Sequence, residues 1–137
     1  MQKNAHKIRV IYADTDAMGI VYHTNYIKWF EIGRNELMRD NDIKYTDVEK
    51  AGFGLPVTKA FSHFLLPARY DDIILIETKI DYFRRVSVKF DYEIWDEPRE
   101  NVLVEGYTVH AFVKDGKIAR PPEEFALKFT AAANQNH

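Results

Sequence analysis

Hydrophobic positions alternate over residues 7–13, where Ile8, Val10 and Tyr12 share one face, and the spacing predicts a strand. Residues 14–19 break that pattern. Over residues 25–40 the period is helical: Tyr26, Trp29, Phe30, Gly33 and Leu37 fall at i, i+3, i+4, i+7 and i+11. Ile27, Ile32 and Met38 widen the apolar surface beyond one stripe, so this helix is expected to be covered on more than one side. Gly33 costs about 1 kcal/mol against Ala in a helix interior. Its expected compensation is close approach of a neighbouring backbone. Residues 42–54 are polar and turn-rich, with a short helix expected over 46–51. From Leu55 onward the period returns to two and predicts strands over 57–65, 73–83, 86–95 and 102–113. In the third of these, Val86, Val88, Phe90, Tyr92 and Ile94 face one way, Ser87, Lys89, Asp91 and Glu93 the other. Residues 96–101 read as a hairpin loop and Asp115-Gly116 as a turn.

The short links between the later strands imply antiparallel pairing, because parallel neighbours need a longer crossover. The expected fold is α+β: a long, curved antiparallel sheet of about five strands, in the order β-α-β-β-β-β, wrapped around one central helix. The 137 residues are expected to form one domain, with a core over about 7–130 and a frayed tail at 134–137.

Composition narrows the function. The chain is 46% hydrophobic and 14% aromatic with a net charge of −2, which excludes disorder as its main state. The absence of cysteine removes disulfides, a thiol nucleophile and any zinc site built on thiolates. With 19 Lys and Arg against 21 Asp and Glu, general nucleic-acid binding has no support. No uninterrupted apolar run exceeds four residues, Ile73 to Ile76 among them, whereas a membrane-spanning helix needs about 20. The first six residues show no signal-peptide pattern. A soluble protein of the cytoplasm is expected.

Residues 14–23 hold Asp14, Asp16, Gly19 and His23, a dense set for a connector. A calcium loop beginning at Asp14 would place Met18 and Asn25 where oxygen ligands are needed, and the histidines show no metal-ligand spacing, so no metal is expected. Two readings remain open on the residues alone. Asp14 and Asp16 are turn and cap formers, Gly19 supplies backbone freedom, and Thr24 or Asn25 caps the helix. Alternatively, a carboxylate beside a helix start forms a small hydrolytic centre. The carboxylate attacks a carbonyl carbon or activates water, and unpaired N–H groups hold the oxyanion. So sparse a site suits a good leaving group such as a thiolate, whose conjugate acid has a pKa of roughly 8.5 by analogy with cysteine.

The run from Asp14 to His23, continued by Asn25-Tyr26-Ile27-Lys28-Trp29-Phe30-Glu31, resembles the hotdog-fold acyl-CoA thioesterases of the 4-hydroxybenzoyl-CoA thioesterase type. It is most similar to their Tol-Pal-associated bacterial branch. Leu55-Pro56-Val57, residues 67–72, Arg84-Arg85-Val86-Ser87 and Gly106 extend the likeness over residues 7–122. The resemblance implies Asp16 as the catalytic carboxylate, either nucleophile or general base. It implies His23 as the donor of an oxyanion-binding backbone N–H, with a side chain that orients Asp16, holds water or shuttles a proton. Gly19, Tyr22 and Tyr26 would border the acyl group, and Arg84, Arg85 and Ser87 the coenzyme A arm. Met18, Phe61 and Phe64 join Tyr22 and Tyr26 in setting pocket length. Asp14, His63 and His110 are expected to be structural, and Arg69 to pair with Asp71 or Asp72. The resemblance also implies a homodimer, or a dimer of dimers as a homotetramer, with active sites between subunits. Acyl-CoA is the implied substrate, with acyl carrier protein as a further partner and no cofactor beyond the coenzyme A of the substrate. The competing functions are a non-enzymatic acyl-CoA or acyl carrier protein binder, and another hotdog enzyme acting on acyl carrier protein thioesters.

Overall fold

The structure, a computed structural model, describes residues 4–135. Its elements in chain order are β1 (Asn4–Arg9), a 3-10 turn (Tyr12–Asp14), α1 (Asn25–Asp40), α2 (Tyr45–Lys50), β2 (Phe53–Gly54), β3 (Val57–Phe64), β4 (Ile73–Arg84), β5 (Ser87–Asp96), β6 (Val102–Ala111), β7 (Val113–Lys114), β8 (Lys117–Ile118) and α3 (Glu123–Asn134). Five strands form one antiparallel sheet in the order β1-β4-β5-β6-β3, and β2, β7 and β8 form a small second sheet.

One face of the large sheet is apolar because alternate residues point the same way. Ile74, Ile76 and Ile80 of β4, Val88, Phe90, Tyr92 and Ile94 of β5 and Val104 of β6 are buried there against Trp29, Phe30 and Leu37 of α1. Phe30 stacks on Tyr92 with ring centroids 4.3 Å apart. The sheet wraps the helix as the α+β reading expects. The opposite face carries Glu77, Lys79, Lys89, Asp91, Glu93 and Glu105. The edge strand β3 is exposed along nearly its whole length.

Several expectations are corrected. The first strand ends at Arg9 and not at Ala13. After Val10, whose N–H and C=O are taken by Asp72 and Asp71, the chain bends into the 3-10 turn and leaves Tyr12 exposed against Tyr70. The last long strand breaks at Phe112, whose N–H turns to the Val86 carbonyl at 2.8 Å. Gly33 does not meet backbone: a Cβ there would collide with Thr78 Oγ1 and lie 2.7 Å from Ile76 Cγ2, both side-chain atoms of β4.

The helix α3 was not expected. Its signals are present in the sequence: Pro122 as N-cap, Glu123 and Glu124 in the first turn, and Phe125, Phe129, Ala132 and Ala133 at helical spacing. Phe129 stacks on Phe83 at 5.8 Å and meets Phe112 edge-on at 5.5 Å, so α3 closes the core beside β4. Of the tail expected to fray, Asn134 is the last residue of α3, and Gln135 donates a hydrogen bond to Asn41 at 3.1 Å. The rest of that expected tail, Asn136 and His137, lies outside the described residues, as does the start of the N-terminal segment.

Candidate active site

The connector between β1 and α1 folds into a closed loop. Thr15 and Val21 bridge across it, Asp16 N–H bonds the Ile20 carbonyl at 2.9 Å, and Gly19 N–H bonds the Asp16 carbonyl at 3.0 Å. Gly19 has a φ of +77°, a conformation costly for any residue with a Cβ. Asp16 lies at the loop's exposed end. Its Oδ1 accepts N–H bonds from Met18 at 2.8 Å and Ile20 at 3.4 Å, while Oδ2 has no protein partner among the described residues. One oxygen is thus held by the loop and the other is open to a reacting group.

Seven residues on, the chain enters α1. Tyr22 N–H bonds the Asp14 carbonyl, Asn25 N–H the Tyr22 carbonyl, and Tyr26 N–H the His23 carbonyl. The N–H groups of His23 and Thr24 donate to nothing among the described residues, leaving two donors at the positive end of a 16-residue helix. Neither expected side-chain cap forms, because Thr24 makes no capping bond. Asn25 turns its amide to the Asp14 carbonyl instead, at 2.9 Å.

Beside these donors is a cleft of about 420 Å³ lined by Ile20, Val21, His23, Tyr26, Phe64, Leu65, Leu66 and Pro67. His23 lies against Tyr22 with ring centroids 4.6 Å apart and meets Phe64 edge-on at 6.2 Å. Tyr26 is buried beneath them and its Oη accepts the Ala68 N–H at 3.2 Å. Burial raises its phenol pKa and keeps the ring neutral. The lining is apolar apart from His23 and the Tyr26 hydroxyl, so it suits an uncharged group.

His23 and Tyr26 line the cleft, Tyr22 lies against His23, and Asp16 and Gly19 sit in the loop that leads to them. Arg84, Arg85 and Ser87 do not join them within one chain. They form the β4–β5 turn, whereas the Asp16 loop follows the end of β1 that pairs with Ile73, the other end of β4. The separation along β4 is roughly 35 Å. Arg84 lies over the Tyr82 ring at 4.1 Å, and Arg85 has a φ of +54°. Met18 is exposed and does not line the cleft. Phe61 is on the opposite face of the sheet, stacked on Tyr107. The Arg69 side chain forms no ion pair with Asp71 or Asp72. Its backbone N–H takes the Asp72 carboxylate at 2.9 Å, and Asp71 pairs with Arg9.

Leu65, Leu66 and Pro67 were not among the expected site residues. They follow the last alternating residue of β3, and only the Ile20–Arg69 bridge, which brings the 65–69 segment back across the loop, makes them a wall. Lys28, whose ammonium donates to Asp14 Oδ1 at 2.7 Å, was also not among the expected site residues, although it lies in the run that carries the resemblance. Among the described residues no group of three His, Asp or Glu is arranged to hold a metal, and no helix is long and apolar enough to cross a membrane.

A curved antiparallel sheet wrapped around α1, with a carboxylate loop leading into the helix start, is the hotdog fold of thioesterases. A family profile described as the thioesterase-like superfamily matches residues 10–129, and the chain belongs to that family. The acyl-CoA thioester hydrolase YbgC of Escherichia coli O6:H1 is 34% identical over 97 residues, covering 71% of each chain. The structure of the DHNA-CoA thioesterase from Staphylococcus aureus superposes with a TM-score of 0.92 at 26% identity, covering 99% of this chain and 94% of that one. A 4-hydroxybenzoyl-CoA thioesterase variant complexed with 4-hydroxybenzoyl-CoA shares the fold at a TM-score of 0.81 and 20% identity, over 92% of this chain and 97% of that one.

Proposed function

We propose that this protein hydrolyses the thioester of an acyl-CoA to a free carboxylic acid and CoA. The observation that carries the reading is one connector bearing a carboxylate with an open oxygen, Asp16, and a helix start with two undonated N–H groups, at His23 and Thr24. The thioester carbonyl oxygen takes the His23 N–H. As general base, Asp16 removes a proton from water, and the water oxygen bonds the carbonyl carbon. The negative charge moves to the carbonyl oxygen, where the N–H groups and the helix dipole stabilise it. The C–S bond then breaks, and the thiolate leaves with the proton held by Asp16. As nucleophile, Asp16 bonds the carbonyl carbon itself, the thiolate leaves, and water cleaves the resulting anhydride. Both routes use the same atoms and need no metal. The apolar cleft takes the acyl group.

The coenzyme A arm requires cations for its phosphates, and the turn that carries Arg84 and Arg85 is at the wrong end of its own chain. A two-fold dimer resolves this. Antiparallel pairing of the exposed edge β3 with its copy sets Phe64, beside His23, next to the start of the partner's β3. That end adjoins the β4–β5 turn, since Val57 pairs with His110 and Ser87 with Ala111. The partner subunit's Arg84 and Arg85 would then face this chain's Asp16 loop, and the exposed edge would be covered.

Thiol release from a panel of acyl-CoAs, followed with a thiol-reactive dye, tests the chemistry without background, because the chain has no cysteine. Asp16→Asn is expected to lower kcat at least ~100-fold, about 2.7 kcal/mol of transition-state stabilisation, with folding unchanged. Equal release by variant and wild type, or none by the wild type, would remove the assignment.

A further inference from the structure

Asp14, two residues before Asp16, is nearly buried, with 9% of its side chain exposed, and its Oδ1 receives the Lys28 ammonium at 2.7 Å. Its carbonyl accepts two further bonds, from Tyr22 N–H and from Asn25 Nδ2, both at 2.9 Å. One residue of the carboxylate loop is thus tied to helix positions 25 and 28, which are neighbours on one face of α1. The Thr15–Val21 bridge and the Asp16–Ile20 hydrogen bond close the loop on itself, and the bonds from Asn25 and Lys28 to Asp14 tie it to side chains of α1. Residues 16–18 are exposed, and Gly19 has no heavy atom near the position of a Cβ.

We infer that Lys28 is a positioning residue which, through Asp14 and together with Asn25, sets the distance between the Asp16 carboxylate and the His23 N–H. This rests on the reading of Asp16 and His23 given above. The physical case is geometric. An attacking oxygen and an oxyanion donor must fit one tetrahedral centre, and a displacement of about 1 Å can cost ~100-fold in rate. Without Lys28, the Asp14 carboxylate is a nearly buried charge with no counter-ion. It regains solvation only by moving outward, and it carries residues 15 and 16 with it. Because Lys28 bonds Asp14 and is not among the residues that line the cleft, its loss should disturb the chemical step and leave substrate binding alone.

The test compares wild type with Lys28→Met, Lys28→Arg and Asn25→Ala in two readouts: steady-state kinetics on the best acyl-CoA, and hydrogen exchange of the Met18, Gly19 and Ile20 amides that close the loop. Lys28→Met is expected to lower kcat at least ~10-fold with KM within about 2-fold, and to speed exchange of those amides. Lys28→Arg, which can still reach the carboxylate, should restore most of kcat. Asn25→Ala cuts the second tie without stranding a charge, and it stays readable if Lys28→Met fails to fold. An unchanged kcat in Lys28→Met or, failing that, in Asn25→Ala overturns the inference. So does a drop in kcat with wild-type exchange of the loop amides. A wild type that hydrolyses no acyl-CoA removes the functional reading instead. Exchange then decides this point alone: faster loop amides support the coupling, and unchanged ones overturn it.

Discussion

At the scale of single residues, Gly33 is a tight packing constraint outside the candidate site. The helix α1 lies so close to β4 that a methyl group at position 33 would overlap Thr78 Oγ1 and crowd Ile76 Cγ2. Thr78 Oγ1 is itself buried, with no hydrogen-bond partner among the described residues. Gly33→Ala would normally favour a helix by about 1 kcal/mol. Here it is expected to destabilise the fold by roughly 1–3 kcal/mol, because overpacking outweighs propensity. Urea denaturation reads this directly: a lower midpoint with an unchanged slope is the expected result, and a raised midpoint would refute it. The glycine was identifiable from sequence as a helix interruption needing a cause. That the cause is side chains of β4, not backbone, depended on where the sheet placed Thr78 and Ile76.

At the scale of elements, β5 and β6 share a buried polar chain. His110 Nδ1 meets the Leu55 carbonyl at 2.9 Å, its Nε2 meets Thr108 Oγ1 at 2.8 Å, and Thr108 Oγ1 meets Tyr92 Oη at 2.7 Å. Burial lowers the His110 pKa to about 4, so the folded protein holds it neutral. An unfolded histidine titrates near 6.5. Between about pH 6.5 and 4 the unfolded chain therefore binds the extra proton, and stability falls as the pH drops through that window. We expect His110→Gln to flatten this part of the stability-against-pH curve, measured by denaturant midpoints at stepped pH, whatever it does to stability at pH 8. An unchanged slope would show that His110 does not control it. Alternation placed His110 inside a strand and marked it as structural. The Leu55 carbonyl that fixes one ring nitrogen comes from 55 residues away, and only the β3–β6 pairing brings it there.

At the scale of the whole molecule, the proposed site is complete only in a dimer, which makes a distinct prediction. Asp16→Asn and Arg85→Glu disable opposite ends of a chain, so a mixed dimer would hold one site with both defects and one with neither. Co-refolding the two weak variants in equal amounts is expected to recover roughly a quarter of wild-type activity: half of the dimers are mixed, and each has one sound site of two. Recovery no greater than the mean of the two variants would show that both groups serve the same chain's site, or that Arg85 serves none.

Much of this molecule follows from local sequence. Period-two and period-3.6 patterns arise from the geometry of strand and helix. They placed β4, β5, α1 and most of β3 and β6, because each buries one face against a single core. The loop of the candidate site was legible for a related reason: Asp14, Asp16, Gly19 and His23 lie within ten residues, so one turn places them. Tertiary structure decided the rest. It ended β1 at Arg9, through hydrogen bonds to Asp71 and Asp72 that no local pattern specifies. It ordered α3 against Phe83 and Phe112, contacts that exist only once β4 and β6 are in place. It put Arg84 and Arg85 at the far end of the sheet from Asp16, because an antiparallel strand of 12 residues carries its two ends roughly 35 Å apart. Spacing along a chain fixes what one element can do, whereas distance between elements depends on how the sheet is paired.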